Sequence, residues 1–189
     1  DYANGNDGVP FVGYLEIDPT FTSSTGTIAG HKGDTTCTSS DYAVGTTWFN
    51  AKRHTSTYMD CYRTSVTYDI TSIPTYATIT DVDLSLTVQS ISWSAPNQSL
   101  YEISTEPSGT QNNPDMIDAG DGVLYASGVF ASGGVGSTYN QDLGSDADTK
   151  FQSQVTGGTG WFAVGIRNTN EGTWSQGAYY PSPTLTVTY

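Results

Sequence analysis

The stretch Tyr62-Arg63-Thr64-Ser65-Val66-Thr67-Tyr68-Asp69-Ile70-Thr71-Ser72-Ile73-Pro74, with its sequel Ala77-Thr78-Ile79-Thr80-Asp81-Val82-Asp83-Leu84-Ser85-Leu86-Thr87-Val88, decides the fold. In the first half Tyr62, Thr64, Val66, Tyr68 and Ile70 share one face. In the second half Val82, Leu84, Leu86 and Val88 lie opposite Asp81, Asp83, Ser85, Thr87 and Gln89. Successive side chains of a strand point to opposite faces, so this alternation marks half-buried strands of an antiparallel sheet. Ser72-Ile73-Pro74 reads as the tight corner between them, because proline holds φ fixed and has no N–H to donate.

Outward from this pair the same patterning predicts more short strands. Val12 to Asp18 is expected as the first, and Thr46 to Arg53, with Trp48-Phe49, as another; Gly30 to Asp41 reads as a polar loop carrying Cys37. Leu100 to Thr105 continues as a strand, Glu106 to Gly122 as a long loop, and Val123 to Phe130 as a strand that pairs across the sheet. Trp161 to Arg167 reads as a central strand, with Phe162, Val164 and Ile166 alternating against Trp161, Ala163 and Gly165. Thr184 to Tyr189 closes the chain with Leu185, Val187 and Tyr189 on one face.

One short helix is expected near 145–156. Ser145 is its predicted cap, and acids of Ser145-Asp146-Ala147-Asp148 fall in the first turn, where the helix dipole favours them. Ala147, Phe151 and Val155 form its apolar stripe, and Gly157-Gly158 ends it. Eight or more strands separated by turns point to an all-β fold, two antiparallel sheets packed as a jelly-roll sandwich. No linker, low-complexity tail or strong repeat divides the 189 residues, so 1–189 is read as a single domain.

Composition supports this class. Thirteen Tyr, four Trp and six Phe carry much of the apolar area, and twenty-one Gly and eight Pro punctuate the strands. A net charge of -13 with only six Lys and Arg excludes a phosphate-binding footprint, and with it nucleic acid and an anionic membrane surface. No segment has the length of a membrane span, so membrane insertion is not expected. The chain starts at Asp1 without Met, which is read as a processed end of an extracellular protein. Asp1 to Pro10 is then an extended segment expected to pack on its own body or on a neighbouring subunit.

Cys37 and Cys61 lie 24 positions apart, each beside a predicted strand. An even count in such a chain favours a disulfide, which would contribute roughly 3 kcal/mol through loop closure. Two free buried thiols are the alternative. Two Cys and two His are too few and too scattered for a structural zinc site.

The run Tyr62 to Val88 resembles the "R-x-x-x-x-F-D-[ST]-S-I-P-x-x-A-x-I-x-x-A-x-L-x-L" signature of DNRLRE-type β-sandwich modules of secreted prokaryotic and tailed-phage virion proteins. Arg63 stands at its Arg and Tyr68-Asp69 at its Phe-Asp, with Thr71-Ser72-Ile73-Pro74, Ala77, Ile79, Leu84 and Leu86 in register. Asp146 to Gly157, Gly160-Trp161-Phe162, Val164 to Arg167 and Pro183 to Tyr189 resemble the family's helix, following strand and closing strand. Ile166-Arg167-Asn168 stands near the place of the name-giving motif, which is itself absent. The resemblance implies a jelly roll outside the cytoplasm, devoted to carbohydrate binding or to structural and adhesive display rather than catalysis.

A Ser-His-Asp centre would need His31 or His54, and neither sits in a nucleophile-elbow context. Glu16, Glu102, Glu106 and Glu171 are the glutamates available for glycoside hydrolysis, with no spacing that favours a pair. Ca²⁺ takes six to eight oxygens, and Asp115, Asp118 and Asp121, three residues apart in a Gly- and Pro-containing loop, are the first candidate set for it. Asn4, Asn6 and Asp7 form a partial set, while Asp142, Asp146 and Asp148 are accounted for by helix capping. Trp93, Trp174 and Tyr179 are candidates for stacking on glycan rings; Trp48 is also placed in or beside a loop, and Trp161 in the core. Asn97-Gln98-Ser99 is one glycosylation sequon on a predicted loop.

The expected function is a non-enzymatic, extracellular structural or adhesive sandwich, a self-assembling homo-oligomer or polymer in a filament, sheath or virion appendage. Its assembly residues would be Asp1, Tyr2, Val9 and Pro10, donated as an extended strand to a neighbour's sheet edge. A carbohydrate-binding module is the alternative.

Overall fold

The computed structural model describes residues 19–33, 40–44, 61–92, 97–107, 118–129, 134–169, 171, 177–179 and 183–189. In chain order its elements are β1 (Thr20–Ser23), β2 (Thr27–Gly33), β3 (Ser40–Val44), β4 (Cys61–Asp69), β5 (Asp81–Thr87), β6 (Ser90–Ser92) and β7 (Gln98–Glu102). There follow β8 (Leu124–Val129), β9 (Thr138–Asp142), helix α1 (Gly144–Gly157), β10 (Trp161–Asn168), β11 (Gly177–Tyr179) and β12 (Thr184–Thr188).

The strands form a four-stranded sheet β1-β12-β5-β9, a six-stranded sheet β3-β2-β4-β10-β7-β8 and a two-stranded ribbon β11-β6, and every pairing is antiparallel. Consecutive strands cross between the two larger sheets: β4 to β5, β5 to β7 and β9 to β10 each change layer. Two Greek keys rolled together in this way make a jelly roll, with the β2–β3 hairpin added at one edge.

The inner faces meet in one principal apolar cluster. Val82, Leu84, Leu86, Leu185 and Val187 come from the four-stranded sheet, and Val66, Tyr68, Leu100, Phe162, Val164 and Ile166 from the six-stranded one. Helix α1 crosses one end of the sandwich and presses Phe151 onto Phe162, ring centroids 4.7 Å apart. Gln152 ties the helix to the corner before β5: its Oε1 accepts the Ile79 N–H at 2.9 Å and its Nε2 donates to the Ala77 carbonyl at 3.0 Å. The corner is set by Asp69, whose Oδ1 accepts the N–H and O–H of Thr71, and by the Ile73 N–H bonding back to the Ile70 carbonyl. Buried Tyr68 donates its phenol to the Pro183 carbonyl at 3.0 Å, a bond that holds the start of β12 against β4.

The structure differs from the sequence expectation in several places. Gly30 to Gly33 belongs to β2 and Ser40 and Asp41 to β3, so both ends of the expected polar loop are paired strands, while residues 34–39 lie outside the described residues. Strand β9 was not anticipated, because Thr138-Tyr139-Asn140-Gln141-Asp142 is polar and its pleat is mostly exposed. Ser145 is not the cap. Leu143 holds the N-cap position without a side-chain bond, and Asp142 Oδ1 accepts the Gly144 N–H at 2.7 Å in its place. The cause is Leu143, buried in the core and bonded through its N–H to Val82, which fixes where β9 turns into the helix. The Ala147, Phe151 and Val155 stripe is buried as expected, and Gly158 ends α1 in the left-handed region at φ 63°. The expected strands at Val12–Asp18 and Thr46–Arg53 lie outside the described residues.

Phe162 is fully buried between Phe151 of α1 and Tyr125 of β8, so Phe162→Ala is expected to lower the free energy of unfolding by about 3–5 kcal/mol. Tyr68→Phe, which removes a single buried hydrogen bond, should cost about 1–2 kcal/mol. Urea unfolding followed by tryptophan fluorescence measures both.

Candidate functional site

Alternation along β5 turns Val82 and Leu84 into the core and Asp81 and Asp83 outward. The β5–β9 register then sets Asp142 directly opposite Asp83. As a result Asp81, Asp83 and Asp142 stand together on the outer face of the four-stranded sheet, one carboxylate oxygen of each within 4.8 Å of the others. Asp148 joins them from α1; the Val82 N–H donates to its carboxylate, and its Oδ1 is buried with no hydrogen-bond partner. Partial burial, then the charges of Asp81 and Asp142, push the Asp83 carboxyl above its ordinary range. The same two causes, in the same order, raise Asp148. Like charges facing one another across two strands oppose folding, and either a proton or a hard cation with oxygen ligands relieves them. No His or Cys stands among these four carboxylates, so the donor set suits Ca²⁺ or Mg²⁺ rather than a softer metal.

No spacing in the sequence announces this group. Asp81 and Asp83 have the pattern of a solvated strand face, and Asp142 and Asp148 that of a helix cap. Only the cross-strand register brings them together.

The predicted set Asp115, Asp118 and Asp121 fares differently. Asp115 lies outside the described residues. Asp118 pins the segment after β7: its Oδ2 accepts the N–H groups of Ser104 (2.9 Å) and Thr105 (2.8 Å), and its Oδ1 the Ser104 hydroxyl (2.8 Å). Asp121 is exposed, on the rim of an open depression of about 760 Å³ that Asp118 and Glu102 also line. These bonds give Asp118 a structural task without any ion.

Two of the three described glutamates, Glu102 and Glu171, are paired. Arg63, buried in β4, makes a two-pronged ion pair with Glu171 at 2.8 and 2.9 Å, and Arg167 Nη1 approaches the same carboxylate at 3.8 Å. Lys150 of α1 pairs with Glu102 at 2.7 Å. Glu106 is exposed, and Glu16 lies outside the described residues.

Trp93, Trp174, Cys37 and the assembly residues Asp1, Tyr2, Val9 and Pro10 lie outside the described residues as well; so do His54, Trp48, Asn4, Asn6 and Asp7. Cys61 opens β4 and pairs in register with Gly33. Tyr179 ends β11 opposite Ser90, and Gly177 pairs with Ser92. Trp161 is a correction. It stands opposite Asp69 on the outer face of the six-stranded sheet and is half-buried, because its strand neighbours Phe162, Val164 and Ile166 take the inner face.

Folding lifts the Asp83 and Asp148 carboxyls, so the folded chain holds more protons than the unfolded one and loses stability as pH rises through that lifted range. Asp83→Asn is therefore expected to raise Tm by about 1–4 °C at neutral pH. The gain should vanish below about pH 4, where carboxyls are protonated in both states. Scanning calorimetry of both proteins across that range checks it. A scan against protein-family models finds no match, and a search of curated proteins finds none either.

Proposed function

We propose that this chain is a non-enzymatic, extracellular structural or adhesive β-sandwich, a self-assembling subunit of a surface filament, sheath or virion appendage. The observation that carries this reading is the edge at β1. Strand β1 pairs with β12 on one side, and no strand among the described residues pairs with its other side. Residues 1–18 lead directly into it, and they include Asp1, Tyr2, Val9 and Pro10. An edge of this kind has backbone N–H and C=O groups to offer an extended segment from a neighbouring copy. The pairing of Glu171 and Glu102 with basic residues supports a non-catalytic role, since these carboxylates hold the fold. The resemblance of Tyr62 to Val88 to DNRLRE-type modules supports the same class.

Ca²⁺ is the cofactor this reading takes. Its seat is Asp81, Asp83 and Asp142, where Asp148 brings a buried oxygen without a partner, whereas Asp118 has its oxygens occupied.

A carbohydrate-binding module is the second reading, favoured by the ribbon. With Gly177 opposite Ser92, the segments holding Trp93 and Trp174 leave β6 and β11 from the same end. Their far ends are tied again by the Thr169 N–H to the Asn97 carbonyl, at 2.8 Å.

Removing residues 1–10 is expected to leave a folded monomer that no longer polymerises, as read by sedimentation velocity and electron microscopy. Unchanged assembly, or a full-length chain that stays monomeric at its highest soluble concentration, rejects the structural reading. Retention in a polysaccharide affinity gel, lost on Trp93→Ala or Trp174→Ala, would install the second.

A further inference from the structure

The outer face of the six-stranded sheet ends, at the α1 side, in a groove of about 340 Å³ with Trp161 in its wall. We infer that this groove is a saccharide-binding subsite in which Trp161 stacks on a sugar ring while Asp69, Glu106 and Thr67 receive its hydroxyls. It shares a ligand class with the second reading above but rests on different residues, and it is compatible with either reading.

The backbone dictates the arrangement. Register sets Trp161 opposite Asp69 and Ala163 opposite Thr67. The half-buried indole packs on the small cluster of Ile103, Ala119 and Ala163, which holds the ring in place. The remainder faces the groove, whose other walls include Thr67, Asp69, Glu106 and Thr159.

The hydrogen-bonding capacity around the ring is largely open. Asp69 Oδ1 takes the N–H and O–H of Thr71 at 2.9 and 2.6 Å, which orients the carboxylate and holds it below its ordinary pKa range. Its Oδ2 takes no bond from a described residue. The Glu106 carboxylate, the Thr67 hydroxyl and the Trp161 indole N–H likewise have no bonding partner among the described residues.

The ligand class follows from this mixture. A pyranose has a flat patch of C–H groups bordered by hydroxyls that both donate and accept. The indole face suits the first, and two carboxylates with a threonine hydroxyl suit the second. An ammonium group would also be drawn to two carboxylates and an indole. It carries no acceptor for the indole N–H, however, so the saccharide uses more of what the groove offers. The volume is at the small end of ligand clefts, about 300–1,000 Å³, a size for a short saccharide stretch.

The test uses the full chain in affinity electrophoresis through gels containing hydroxyethyl cellulose, xylan or mannan. Retardation by at least one is expected, abolished by Trp161→Ala and weakened about tenfold by Glu106→Gln. Trp161 also packs on Ile103 and Ala119; if Trp161→Ala fails to fold, Glu106→Gln and Thr67→Val decide the matter, with Tm confirming that both are folded. No retardation in any gel overturns the proposal. So does retardation that survives in a folded Trp161→Ala chain, and its loss on Trp93→Ala or Trp174→Ala would then assign it to the ribbon end. Quenching of Trp161 by tetramethylammonium without polysaccharide retention would mark a cation groove and equally overturn it.

Discussion

The structure depends on burying both faces of the central pair β4 and β10. Their inner faces send Val66, Tyr68, Phe162, Val164 and Ile166 into the principal core. Over Arg63, Ser65, Ala163 and Gly165 their outer faces are covered too, by the helical residues 118–121. A Cβ on Gly165 would stand 2.6 Å from the Ala119 carbonyl oxygen, and one on Gly120 would stand 2.5 Å from Arg63 Nε. Backbone therefore lies directly on sheet, which only glycine and alanine at these positions permit.

Closure of that outer face explains the polar network beneath it. A guanidinium taken out of water requires a charged, well-oriented partner, since an unpaired buried charge costs several kcal/mol. Glu171 supplies the partner in two-pronged form, the geometry that suits arginine best. Arg167 lies beside it with its guanidinium 4.6 Å from the centre of the Tyr101 ring. The connection after β10 is thus held onto the sheet by an ion pair, and the segment after β7 by Asp118. Trp161, packed against Ala119 at the end of this cover, keeps part of its ring open.

The four-stranded sheet follows the opposite regime. Its outer face stays wet, and the burial of β5 and β12 alternates residue by residue. Charge accumulates there because each aspartate is locally acceptable: Asp81 and Asp83 on a solvated pleat, Asp142 beside a helix start. Pairing β5 with β9 then sums them into one group, in which partial burial and the neighbouring charges raise the carboxyl of Asp83 and that of Asp148 on α1 beside it. The central strands of one layer are packed on both sides over part of their length, while the other layer carries a localised electrostatic cost that a proton relieves.

Much of the architecture was legible in the residues. Period-two alternation exposed β4, β5, β10 and β12, and four-residue spacing with a terminal Gly-Gly exposed α1, because these patterns arise from local geometry acting on neighbouring side chains. Strand β9 was hidden, since an edge strand with a polar pleat looks like a loop. Leu143 displaced Ser145 from the cap because a core contact outweighs a hydroxyl bond at the surface. Trp161 read as core because alternation names two faces without saying which is covered, and by how much. The amino-acid sequence alone thus determined an antiparallel sandwich, its helix and its net negative charge, all consequences of short-range pattern and composition. Tertiary structure alone decided which carboxylates meet, which arginine is buried and which tryptophan stays open, because those depend on register between strands about sixty to a hundred residues apart, where local preference carries no information.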